Sequence, residues 1–414
     1  MAVRPPGRPR RAARRRRAGD RVLQSGLVRG AQTETRQEAV VKLTGFELIR
    51  VAMPLVAPFR TSFGVEHERD VLMVRAVTPD AHGWGECVAM SEPLYSSEYV
   101  DGAADVIRRF LAPRLLAAGE LHPHQVCDLL EPMKGHRMAK AALETAVLDA
   151  WLRERGESFG AHLGAVRDRV PAGVSVGIMD TIPRLLDAVD GYLAQGYLRI
   201  KLKIEPGWDV EPVRAVRERF GDELLLQVDA NAAYTLADAA TLARLDAFDL
   251  LLIEQPLAED DLRQHAELAR LVRTPICLDE SIVSAKVAAD AIALRATRVI
   301  NIKPGRVGGY LEARRIHDLC QAHGIPVWCG GMLETGIGRA ANVALAALPG
   351  FSLPGDTSAS DRYYAQDITE PFVLGPDGHV EVPSGPGIGI EPVADVLRAR
   401  TTSSQWLGAG DLGS

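Results

Sequence analysis

Five residues, Lys203, Asp229, Glu254, Asp279 and Lys303, recur about 25 residues apart, each at or near the end of a short Leu-rich or β-branched run. Three carboxylates and two amines in one series have a definite chemistry if the fold gathers them. Like-charged carboxylates at close quarters are costly unless a cation lies between them, and oxygen-only ligands favour a hard ion of the Mg2+ type. A lysine near such an ion, in a pocket that disfavours the ammonium form, has a lowered pKa and serves as a base near neutral pH. The set suits removal of a proton next to a carboxylate, the ion stabilising the enediolate that forms. The competing explanation is that each Asp or Glu only caps the helix after its strand and that the lysines are solvated. Five such residues in register argue against it.

The elements that must position them can be read from the same stretch. The runs are Leu198 to Ile204, Leu224 to Asn231, Leu251 to Pro256, Pro275 to Glu280 and Val299 to Pro304, with helix-length segments between them such as Asp209 to Gly221 and Leu236 to Phe248. Strand-like runs start near residues 174, 199, 225, 251, 276, 299, 327 and 352. Eight βα repeats of this kind close into a barrel of parallel strands, at whose C-terminal mouth the strand-end side chains converge. Lys201 and Lys203, two apart on one strand, both face the barrel interior. Residues 42 to about 165 read as an α+β unit, with strands over Phe46 to Leu55, Asp70 to Val77 and Gly83 to Cys87, and helical periodicity over Tyr99 to Leu116 and Met138 to Arg153.

With these residues in view, the sequence resembles the enolase superfamily, in its muconate-lactonising subgroup. Within it, the chain looks like the actinobacterial o-succinylbenzoate synthases that are also N-succinylamino acid racemases. The likeness runs from about Lys42 to about Pro392, through Pro54 to Gly64, Gly135 to Lys140, Val174 to Asp180, Gly330 to Gly336 and Leu353 to Asp361. It implies a (β/α)7β TIM-like barrel at residues 166–370, under an α+β capping domain at 41–165 to which the tail of residues 371–414 returns. It also implies Asp229, Glu254 and Asp279 as ligands of Mg2+, or of Mn2+ or Co2+ in its place, and Lys203 and Lys303 as acid/base catalysts. By the same resemblance, Lys201 would help lower the pKa of Lys203 and bond the substrate carboxylate. Ser175, Phe59, Phe63, Met90, Tyr95, Gly331, Met332 and Leu333 match substrate-contacting positions. The activity implied is dehydration of 2-succinyl-6-hydroxy-2,4-cyclohexadiene-1-carboxylate, a step of menaquinone synthesis, together with racemisation of N-acylamino acids. A role mainly as racemase, or as another cycloisomerase or a dipeptide epimerase, is the alternative. The epimerases carry Asp-x-Asp at the eighth strand, where this chain has Pro354-Gly355-Asp356.

Composition agrees with a large enzyme. At 414 residues and 47% hydrophobic, the chain can bury a barrel-sized core and an added domain. No apolar run reaches the roughly 18 residues of a membrane helix. Five scattered cysteines without a Cys-x-x-Cys pair suit a reducing cytoplasm rather than a disulfide framework. Residues 1–40 differ from the rest, with 11 Arg against 3 acidic residues; their net +8 leaves −14 for residues 41–414, since the whole chain carries −6. Such a segment lacks aromatics for stacking on bases, and the likeness to the family begins at Val41-Lys42, so it reads as an over-extended gene start or a disordered tail. The partners expected are a small carboxylate substrate and further copies of the chain, with no nucleic acid and no membrane. His122-Pro-His124 reads as surface, and no phosphate-binding glycine loop is present.

Overall fold

The protein is described from a computed structural model that covers residues 40–408 and 410. The Arg-rich segment of residues 1–39 lies outside the described residues. The chain opens with an antiparallel hairpin, Gly45–Thr61 (β1) and Gly64–Val77 (β2), followed by His82–Cys87 (β3). These strands are longer than the sequence suggests: pairing resumes beyond an irregularity between Pro54 and Phe59, so the hairpin tip projects past the sheet. One face of β2 and β3 packs on the helix Arg137–Arg155 (α1), which is buried almost throughout from Met138 to Leu152. Two glycines make that packing possible. A Cβ on Gly83 would come within 2.1 Å of Ala150 N, and one on Gly85 within 2.0 Å of Ala142 O.

The barrel follows, with parallel strands Gly173–Val176 (β4), Arg199–Lys203 (β5), Leu225–Asp229 (β6), Ile253–Glu254 (β7), Ile276–Leu278 (β8), Val299–Ile302 (β9) and Val327–Cys329 (β10), each hydrogen-bonded to the next in chain order. Helices Ile182–Gln195 (α2), Val210–Phe220 (α3), Leu262–Leu268 (α4), Ala285–Leu294 (α5), Tyr310–Ala322 (α6) and Gly336–Ala346 (α7) cover it. Residues 236–248, expected as a helix, are instead 3₁₀ turns on either side of one α-turn. A capping box between Thr235 and Asp238 tightens the first turn, and Asp249 takes a left-handed conformation to re-enter the barrel.

The eighth barrel position is not a regular strand. It consists of two parallel bridges, Val327 with Phe351 and Ala172 with Gly355, and it closes the ring through Gly173 N to Gly355 O at 2.7 Å and Asp356 N to Cys329 O at 2.8 Å. Pro354 lacks the donor a continuous ladder needs. Further on, residues 379–381 pair with 169–171. Thr401–Gly408 (β11) then adds an edge strand to β1, so the end of the described chain lies in the N-terminal sheet.

Candidate active site

The five equally spaced residues meet where the barrel strands end. Lys201 and Lys203 lie in β5, Asp229 and Glu254 close β6 and β7, and Asp279 and Lys303 follow β8 and β9 by one residue. The three carboxylates are fully buried and the lysines are at most 7% exposed. Lys201 Nζ bridges three acids, at 3.2 Å from Asp229 Oδ2, 3.1 Å from Glu254 Oε2 and 2.7 Å from Asp356 Oδ2. Lys203 Nζ sits 2.6 Å from Asp229 Oδ2 and 2.6 Å from Asn231 Oδ1. Lys303 Nζ stands 2.7 Å from Asp279 Oδ2 and donates to Tyr95 Oη at 3.1 Å. In a ring of eight positions β5 is the second and β9 the sixth, so Lys203 and Lys303 approach the mouth from opposite sides.

The three lysines, with Asn231 and Asp356, line a cavity of about 60 Å³. Its barrel wall includes Ser175, Lys201, Lys203, Lys303, Gly331, Met332 and Leu333; Phe59, Phe63, Met90 and Tyr95 close it from the N-terminal domain. The hairpin tip that carries Phe59 and Phe63 is tied to the barrel by Ile178 N to Arg60 O at 3.0 Å and by Arg60 to Glu205 at 2.9 Å. His122 and His124 lie apart from the cavity, His124 Nε2 being 3.4 Å from His162 Nε2. Larger surface hollows, such as the one of about 590 Å³ beside residues 359–374, contain none of the convergent lysines.

Comparison with known proteins gives the same picture. The family described as "Enolase C-terminal domain-like" matches residues 184–396. An N-succinylamino acid racemase from Amycolatopsis sp is 69% identical over 369 residues, 89% of this chain and 100% of that protein. The chain belongs to the enolase superfamily. An o-succinylbenzoate synthase from Geobacillus kaustophilus is 49% identical, over 83% of this chain and 92% of its own length. Among solved structures, a member of the enolase superfamily from Listeria innocua superposes with a TM-score of 0.86 at 39% identity, covering 89% of this chain and 100% of that one.

Within this superfamily fold, the electrostatics set the two strand-end lysines apart. Burial depresses the Lys203 ammonium, with Lys201 adding to the effect against the pull of Asp229. Burial also acts on Lys303, but Tyr95, Glu280, Glu254 and Asp229 outweigh it and hold that lysine above the ordinary range. Lys201 is held high in the same way, by Asp356, Glu254 and Asp229.

Among the described residues no three Asp, Glu, His or Cys side chains are drawn closely enough together to hold an ion as they stand. The Lys201 ammonium lies between Asp229 and Glu254 instead, and Lys203 pairs with Asp229. The donor set itself fits a hard divalent cation, being three fully buried carboxylates on adjacent strands. Asp279 Oδ2 and Glu280 Oε2 are enclosed and accept no hydrogen bond, the Lys303 contact to the former being ionic only.

Several residues at the site carry no sequence signal. Asn301 donates to Glu254 Oε1 at 2.6 Å, Asn231 to Glu280 Oε1 at 2.9 Å, and Arg306 pairs with Asp279. Asp356, between Lys201 and the fully buried Arg199, is the acid that the eighth-strand reading weighed only as a missing motif. Asn231 lies just past the end of β6 in a left-handed turn, and like the others it is brought to the site by the fold.

Proposed function

We infer that the protein is an o-succinylbenzoate synthase of menaquinone synthesis that also racemises N-succinylamino acids, acting by proton transfer at the carbon next to a carboxylate. The observation that carries this reading is the placement of Lys203 and Lys303 on opposite sides of one closed cavity. A divalent cation such as Mg2+, held by Asp229, Glu254 and Asp279, would supply positive charge against the substrate carboxylate. Lys201, kept charged by three acids, pairs with that carboxylate and orients it. For one enantiomer Lys203 removes the α-proton and Lys303 returns one to the opposite face. For the opposite enantiomer the roles reverse. In the synthase direction one lysine takes the α-proton and then gives a proton to the departing hydroxyl, while the other lysine's positive charge stabilises the intermediate. Phe59, Phe63 and Met90 keep water from the reacting carbon.

Both activities belong to one reading because relatives named for each match most of the chain, at 69% and 49% identity. A dipeptide epimerase fits less well. The acid at the eighth position, Asp356, is committed to Lys201 and Arg199 and is not free to meet a dipeptide's ammonium. The five cysteines are all unpaired and no helix among the described residues is long and apolar enough to cross a membrane, in keeping with work in a reducing cytoplasm. A homo-oligomer completes the proposal, to be checked by light scattering. The deciding assay gives the purified protein the cyclohexadiene carboxylate and N-succinyl amino acids side by side, before and after chelation. Turnover of both, lost on chelation and restored by Mg2+, is the expected result; full activity after chelation would refute the metal assignment.

A further inference from the structure

We propose that Arg69 receives the free carboxylate of a succinyl group, and that it thereby sets the preference of the site for succinyl over uncharged acyl chains. The proposal rests on the functional reading above. Four cationic side chains line the cavity: Arg69, Lys201, Lys203 and Lys303. Each lysine has a carboxylate oxygen within 2.7 Å. Arg69 pairs with no carboxylate among the described residues. Its Nη2 donates to Val88 O at 3.1 Å and Ala89 O at 3.5 Å, while its Nε is enclosed and donates to nothing. Only 2% of the residue is exposed.

A guanidinium cannot shed its proton in a protein, so burial leaves Arg69 as a full charge with donors to spare. Such a charge is costly unless an anion meets it. The position suits one. Arg69 lies on β2, opposite Met53 of β1, and reaches the cavity from the N-terminal domain alongside Phe63 and Met90. The lysines that handle the reacting carboxylate approach from the barrel strands. An N-succinylamino acid and o-succinylbenzoate share a second carboxylate, at the far end of a four-carbon acyl chain. With one carboxylate at Lys201, the acyl chain would run between the apolar side chains toward Arg69, whose planar fork matches a carboxylate.

The test compares N-succinyl- with N-butyryl-phenylalanine, acyl chains of equal length that differ in carboxylate against methyl. Wild-type protein is expected to favour the succinyl substrate in kcat/KM by about 10- to 100-fold, the worth of a charge-assisted hydrogen bond. Arg69→Met should collapse that ratio, mainly through KM, and Arg69→Lys should recover part of it. A structural role alone would lower both substrates together and leave the ratio intact, which would overturn the proposal, as would a wild-type protein with no preference. Should Arg69→Met fail to fold by circular dichroism, the Arg69→Lys ratio and the wild-type preference still decide. Calorimetric binding of o-succinylbenzoate against 2-butyrylbenzoate separates the two levels of inference. If wild type turns over neither substrate the functional reading fails; equal binding of the two benzoates would overturn the Arg69 assignment by itself.

Discussion

At the scale of single residues, Lys203 and Lys303 differ in kind. One is an amine whose charge is disfavoured by burial, the other an ammonium held by surrounding negative groups. General acid/base groups contribute about 10²- to 10⁴-fold, so Lys203→Ala and Lys303→Ala should each reduce racemisation by that order, measured by polarimetry. Arginine keeps the charge without the basicity. In deuterated water, Lys203→Arg and Lys303→Arg should therefore exchange the α-proton of opposite enantiomers, read by NMR. Exchange of the same enantiomer by both would show that the lysines do not flank the substrate. A separate expectation concerns Asp356, which alone joins Lys201 to Arg199 at the barrel's closing seam. Asp356→Ala leaves two buried cations short of a partner and should lower the unfolding free energy by about 3–5 kcal/mol in a urea titration.

At the scale of elements, carboxylates fasten the helices between the N-terminal sheet and the barrel. Glu144 on α1 accepts from Tyr310 N at 3.0 Å and Leu311 N at 2.9 Å, capping α6. Glu86 at the end of β3 accepts from Thr335 and Gly338 N at the start of α7. Burial, against the two backbone donors, pushes Glu144 up to about 7, and burial with the Glu334 charge pushes Glu86 up to about 8. A carboxyl whose folded pKa is raised contributes stability that is fully present below its unfolded value of about 4.5 and is lost as pH climbs through the folded value. Unfolding free energy should accordingly fall between pH 5 and 8. Glu144→Gln should reduce that total fall by about 3 kcal/mol, and an unchanged fall would contradict the assignment. The β3–α1 contact offers a steric test. Gly85→Ala would drive a Cβ into the Ala142 carbonyl and should cost about 1–3 kcal/mol or more, seen as a lowered Tm.

At the scale of the whole molecule, the described chain from Val40 onward forms one compact unit. The Amycolatopsis racemase is matched along its full length by 89% of this chain. A protein that begins at Val41 is thus expected to fold and turn over like the full chain, compared by Tm and kcat/KM. Salt-sensitive nucleic-acid binding by the full chain alone would instead assign a role to its Arg-rich segment. The junction between barrel and N-terminal domain is central to function in either case, since the cavity takes its catalytic groups from one and its apolar closure from the other.

The sequence by itself determined the order of strands and the identity of the strand-end groups. A βα repeat of about 25 residues places one residue per period at the same mouth, and that is a local property of the chain. The family likeness then pointed to the apolar positions of the N-terminal domain that the structure brings to the cavity. What only the tertiary structure decided are the pairings between residues far apart in the chain. Arg199 and Asp356 meet across 157 residues and Asn301 and Glu254 across 47, and of these four only Glu254 carries a periodic signal. The opposite biases of Lys203 and Lys303 have the same origin, because a pKa depends on which charges surround a group and not on its place in a repeat. Nor could the closing seam at residues 351–356 be read as a bridge rather than a strand, since its two partner strands are the first and the last of the ring. The buried, carboxylate-free state of Arg69 depends on tertiary contacts such as those with the Val88 and Ala89 carbonyls, which no local pattern encodes.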